Sequence, residues 1–182
     1  MPVTEQTFEH LALSNPDQRW ELHRGQPREK PAMSTRHNRA IHRLDVQLIQ
    51  QLDLDRFEVR VNSARARRGE ETYYIPDLTV VPIEFVTALP DRPDALEVYD
   101  RPLPLVVEVW SPSTGDYDIE SKLPEYQRRG DHEIWRLHPF DLLLTVWRRQ
   151  PDGTYADTIH AGGRVDVLSL PGVTIDLDAL FA

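Results

Sequence analysis

The sequence contains no cysteine. That one absence excludes disulfides and thiolate metal sites together, and it suits a reducing compartment. Lysine is nearly missing too. Of 21 cationic residues only Lys30 and Lys122 are lysines; the rest are arginines. A lysine kept against so strong a skew is a candidate for chemistry that needs a compact ammonium, which a guanidinium does not replace. No apolar run approaches the roughly 20 residues of a membrane helix. The opening MPVTEQTFEH has neither the basic nor the apolar segment of a secretory signal. A cytoplasmic protein with no membrane partner is expected. Positive charge is also in deficit, with a net charge of -9. Unspecific coating of a duplex depends on Lys and Arg neutralising phosphates, so binding of nucleic acid would have to be local, through arginines clustered at a cleft.

The chain has 182 residues, 40% hydrophobic and 28% charged. That suits one globular domain, residues 1–182, able to bury roughly 70% of its unfolded surface. Residues 4–13 predict a short helix ended by Asn15-Pro16-Asp17. RWELHR, residues 19–24, predicts a strand that turns at Gly25 into a partner before Met33, giving an N-terminal hairpin. Ser34 is a candidate cap for the longest helix, whose apolar residues Ala40, Ile41, Leu44, Leu48, Ile49 and Leu52 recur at three- and four-residue spacing. FEVRVN, residues 57–62, alternates as a strand does, and ARARRGEE after it reads as a charged loop. TYYIPDLTVVP, residues 72–82, is strand-like on both sides of Pro76. Prolines 82, 90, 93, 102 and 104 break the next stretch into a loop.

LPLVVEVW, residues 103–110, is a nearly continuous apolar run, the mark of a strand buried on both faces by helices. A second helix is expected from Ser121, because Pro124 is tolerated in a first turn, and Gly130 ends it. HEIWRLH, DLLLTVWRR and TYADTIH predict three more strands, the last two joined at Pro151-Asp152-Gly153. A strand and the segment DLDALFA close the chain. The expected fold class is α/β (α+β), a central mixed sheet flanked by helices.

Glu108 is the most informative residue. A carboxylate inside Leu105–Trp110 falls where the strand is buried, and an unpaired one there costs several kcal/mol. It therefore requires a cation, a donor or a shifted pKa, unless it sits at a strand end and reaches solvent or an arginine. Asp77 repeats the situation after Pro76, with a turn Asp as its alternative. Two such acids on neighbouring strands could meet at one hard cation, since magnesium takes one or two carboxylates and fills its shell with water and phosphate. Lys122, placed at the start of the second helix, would lie beside the positive end of the helix dipole. Tyr126, four residues on, shares its face. The plain alternative is an exposed lysine.

Taken together, Pro76-Asp77, Val107-Glu108-Val109, Ser111-Pro112-Ser113-Thr114, Lys122, Tyr126, Gly130 and Ile134-Trp135 resemble the Uma family of restriction endonuclease-like proteins, within the PD-(D/E)XK nuclease superfamily. Trp20-Glu21-Leu22 with Gly25, and the helix opening at Ser34 with His37, resemble it too. The resemblance implies a restriction-endonuclease-like core and a magnesium or manganese site at Asp77 and Glu108. It also implies a lysine that stabilises charge on the scissile phosphate. The superfamily places that lysine two residues after the acid; here that position is Trp110, and Lys122 matches the relocated lysine of the family. Glu21 and His37 are auxiliary candidates beside Tyr126, and Arg65, Arg67 and Arg68 could grip backbone phosphates.

The leading expectation is a metal-dependent endonuclease acting on nucleic acid, with DNA as the expected substrate. A homodimer would suit the cutting of two strands. The alternative is a non-catalytic nuclease-like binding or regulatory module, and a third class is a hydrolase of small phosphoesters, for which no Gly-rich phosphate loop is visible.

Overall fold

The computed structural model describes residues 2–182. Helix α1 (Glu5–Ser14) starts where the Thr4 hydroxyl accepts from the Thr7 N–H. Strands β1 (Trp20–His23) and β2 (Gln26–Glu29) pair as the expected hairpin. Its two-residue turn, Arg24-Gly25, has both φ angles positive at 48° and 75°, the backbone twist that joins antiparallel strands tightly. Helix α2 (Thr35–Ile49) opens at Ser34, whose side chain accepts from the His37 N–H. Ala40, Ile41, Leu44 and Leu48 are buried on one stripe; Ile49 is exposed, and Leu52 packs against the core from beyond the helix end.

After β3 (Phe57–Val61) comes β4 (Arg65–Arg68). The charged-loop reading of ARARRGEE is thus corrected: Ala64 and Ala66 point into the core, and acids distant in sequence accept the arginines, as in Arg67 to Glu5 at 2.9 Å. Strands β5 (Thr72–Tyr74) and β6 (Leu78–Pro82) flank Pro76 as expected. They belong to different sheets, because a proline cannot continue a ladder. The proline-rich stretch is mostly loop, with a short helix α3 (Ile83–Val86) and strand β7 (Val98–Tyr99). Strand β8 (Leu105–Val109) is buried throughout.

The second helix begins six residues earlier than expected. It runs through α4 (Gly115–Tyr117), a π-turn at Asp118–Lys122 and α5 (Leu123–Arg129). In the π-turn the Leu123 N–H reaches back five residues to the Asp118 carbonyl. Widening the helix there absorbs Pro124, which has no N–H to give and whose ring crowds the preceding turn. Lys122 is therefore interior to a helical run, and the expectation that it lies at the positive end of a helix dipole is corrected. Gly130 ends the helix at φ 82°, a left-handed value that favours glycine.

Strands β9 (Glu133–His138), β10 (Leu143–Arg149) and β11 (Tyr155–His160) follow. The chain closes with the pair β12 (Arg164–Asp166) and β13 (Thr174–Asp176) and helix α6 (Leu177–Phe181). One mixed sheet runs β2-β1-β5-β4-β7, and the other runs β11-β10-β9-β8-β6-β3. In the larger sheet β8 is antiparallel to β6 and parallel to β9.

Both faces of β8 are covered. Leu105, Val107 and Val109 share a core with α2, α6 and the β12–β13 pair, and Val106 faces Ile134 and Tyr126 of α5 on the other side. That explains the unbroken apolar run. Among the described residues no helix is long and apolar enough to cross a membrane.

Leu44, fully buried between α2 and the sheet, is a measure of this packing. Leu44→Ala is expected to lower unfolding stability by about 2–5 kcal/mol in urea titration. A loss under about 1 kcal/mol would contradict the packing described.

Candidate active site

The two sheets meet where Ile75-Pro76-Asp77 crosses from β5 to β6. The N-terminal hairpin, the crossing itself, β8, the π-turn and α2 deliver charged side chains to this junction. Glu21 comes from β1, Lys30 follows β2, and Asp77 lies on the crossing itself. Glu108 comes from β8, Lys122 from the π-turn, and His37 from the first turn of α2. All six are buried, and such groups persist only when partnered.

The partners are specific. Asp77 Oδ1 lies 2.8 Å from Lys30 Nζ, and its Oδ2 accepts from the Val109 N–H at 2.7 Å and from His37 Nε2 at 3.0 Å. His37 thus presents its Nε2 proton to the carboxylate, while its Nδ1 is buried without a partner. Lys30 also donates to the Ile75 carbonyl at 2.7 Å, and Glu21 accepts from the Ile75 N–H at 2.8 Å. Lys122 Nζ sits 2.8 Å from Glu21, 3.2 Å from Glu108 and 3.8 Å from Asp118. The Tyr126 hydroxyl donates to Glu108 at 2.6 Å.

Titration follows from this geometry. Burial works against ionised Asp77, yet the Lys30 ammonium and His37 outweigh it and hold the carboxyl well below its usual range. Burial pushes Glu108 up; Lys122 opposes the rise, and Asp118 and Asp77 add to it. Burial works against charged Lys122, but Glu108, Glu21 and Asp118 around it raise it and keep it an ammonium. Tyr126 is raised by burial and by Glu108, so it retains the proton it donates.

Four carboxylates thus face two ammoniums. Arg28 lies at the rim, 3.7 Å over the Tyr117 ring. The cavity between them is only about 10 Å³, the space of about one water. It cannot enclose a nucleotide, for which pockets of roughly 300 Å³ or more are usual. A larger cleft of about 350 Å³, lined by Glu9, Arg67, Phe85 and Arg101, shares no residue with this cluster.

Glu21, His37, Asp77, Glu108, Lys122 and Tyr126 are therefore brought together. Arg65, Arg67 and Arg68 do not line the cavity. Arg65 is largely buried and its pKa is lowered by that burial; Arg67 pairs with Glu5 and Arg68 with Glu125. Sequence reasoning assigned no role to Lys30 or Asp118. The shortage of lysine was the available signal, for both lysines of the chain end in this one cluster.

The sequence profile of the Uma2 family, described as "Putative restriction endonuclease", matches residues 5–178. The chain belongs to the Uma2 family. Among solved structures, the Uma2 fold seen here is similar to a crystal structure described as a putative nuclease belonging to DUF820 from Anabaena variabilis. The TM-score is 0.72 at 14% identity, with 89% of each chain covered. That likeness extends the nuclease-like fold to this Uma2 chain. No curated protein matches it.

Lys122 is the shared counter-ion of Glu21, Glu108 and Asp118. Lys122→Met is expected to cost about 3–5 kcal/mol of stability, the usual penalty for stranding buried charge. Adding Glu108→Gln should recover part of it. A double-mutant cycle in urea showing no coupling would contradict the contact.

Proposed function

We propose that the chain is a divalent-metal-dependent endonuclease that hydrolyses DNA phosphodiesters at the Asp77–Glu108–Lys122 cluster. The observation carrying this reading is the meeting of one ammonium with two strand-borne acids drawn from different sheets, Lys122 with Glu21 and Glu108, beside Asp77 on the crossing between them. Membership of the Uma2 family supports it.

Among the described residues no group of three or more His, Asp or Glu is arranged to hold a metal ion. The donor chemistry still fits a hard cation. Every candidate ligand is a carboxylate oxygen, the buried acids outnumber the buried ammoniums, and magnesium needs only one or two carboxylates. Asp77 and Glu108 would hold it. When bound, the ion would polarise the phosphate and lower the pKa of a bound water.

The chain's own residues do the rest. Lys122 keeps its charge and offers it to the negative charge that grows on the scissile phosphate, an effect that is strong in a dry site. His37 and the Val109 N–H fix the orientation of Asp77, and Tyr126 fixes Glu108. Lys30 offsets Asp77 directly at 2.8 Å. The tiny cavity favours a phosphate met at its rim over a small phosphoester enclosed within it. The net charge of -9 means that contact with DNA is local and salt-sensitive. A two-fold pair of chains would place one site on each strand.

Purified protein with magnesium or manganese is expected to nick supercoiled plasmid, and Asp77→Ala to reduce the rate by about 100-fold or more. Cutting that survives the substitution rejects the assignment. The rival reading, a nuclease-like module without catalysis, is favoured by the absence of a three-ligand cluster. Calorimetric titration separates the two: stoichiometric manganese binding is expected and should vanish in Glu108→Ala, and its absence from the unsubstituted protein favours the rival.

A further inference from the structure

Just past Glu108, aromatic rings and arginines gather at the end of β8 and β9. The parallel register pairs Glu108 with Arg136 and Val109 with Leu137. The Trp110 N–H donates to the Leu137 carbonyl at 2.8 Å, so pairing continues one residue beyond β8. Side chains alternate along a strand. Trp110 therefore shares the face of Glu108, and His138 that of Arg136. The Trp110 and His138 rings stack at 4.3 Å and 29°, and Phe140 meets Trp110 edge-on at 5.9 Å and 78°. Phe140 is 47% exposed.

The indole is fixed from its other edge, because a Cβ at Gly115 would collide with it. Arginines stand beside these rings. The Arg36 guanidinium lies 5.0 Å over Phe140, one residue before the histidine that holds Asp77. Arg136 donates to the Gly115 carbonyl at 3.2 Å and keeps a buried Nε without a partner. Arg36 and Arg39 line a cleft of about 110 Å³ with Pro139 and Phe181.

Burial of apolar surface accounts for half-buried Trp110 and leaves exposed Phe140 unaccounted for. Partly exposed rings with a guanidinium beside them are the arrangement that holds unpaired bases by their faces. Acids stand close by: Asp141 lies 3.4 Å from His138, and Asp116 and Asp118 act on Arg136. They weaken attraction for phosphates, so contact with base faces carries the binding.

We propose that Trp110, His138 and Phe140, with Arg36, form a stacking platform that holds an unpaired nucleotide of a single-stranded nucleic acid beside the carboxylate cluster. The platform deepens the nuclease reading and rests on it only for the reason a strand comes to this place. Its test is binding alone, by fluorescence anisotropy of a labelled oligothymidine at low salt with chelator present.

Phe140→Ala is expected to weaken binding by about tenfold, while Phe140→Tyr, which keeps the ring, should bind as the unsubstituted protein does. A strand of equal length made of abasic nucleotides should bind the unsubstituted protein more weakly and should not distinguish it from Phe140→Ala. Equal binding of intact and abasic strands, or an unaltered affinity in folded Phe140→Ala, overturns the platform. Protein that shows the ring-dependent contrast yet cuts nothing with metal counts against the nuclease reading alone. Protein that cuts plasmid without the contrast counts against the platform alone.

Discussion

The structure turns on one electrostatic constraint. Four acids and two lysines are withdrawn from water at the seam between two sheets, and none of them is tolerable there by itself. Asp77 survives because Lys30, His37 and a backbone N–H all address it. Lys122 survives because Glu21, Glu108 and Asp118 surround it. The partners are drawn from several elements, so the hairpin, the long helix, the crossing segment, β8 and the second helix must all be in place together. Hydrophobic burial on the two faces of β8 supplies the driving force, and the charge cluster specifies which arrangement is acceptable.

That division explains what the sequence made legible. Local signals are legible. Ser34 with its apolar stripe gave the long helix, Gly25 gave the hairpin, Gly130 the helix stop, and the run through Leu105 a strand covered on both sides. Glu108 and Asp77 stand out as acids amid apolar residues, and the structure buries both, Glu108 within β8 and Asp77 on the crossing between β5 and β6. What escaped was non-local. The arginines of β4 looked like loop because their partners, Glu5 and Glu125, are about 60 residues away in either direction. Lys30 lies in a segment without periodicity, and its burial is decided by where the hairpin docks. The early start of the second helix was hidden by Pro124, since the π-turn that accommodates it has no signature in composition.

The charge cluster and the aromatic rings adjoin at the end of β8, where Glu108 and Trp110 share one face. Glu108 and its partners are enclosed and charged; Trp110 and the rings beyond it reach solvent. The seam between sheets is the dry side of this boundary, and the loop after β9 is its wet side.

Trp110 stands two residues after Glu108 on the same face, and the ammonium that meets Glu108 arrives from a helix instead. A cation on the strand next to the acid would be held in place by the sheet itself. A cation on the π-turn is held only while the segment from Gly115 to Arg129 stays docked. Fraying of that one segment would withdraw the positive charge and leave the sheet intact, so the charge balance of the cluster can be lost and regained without global unfolding.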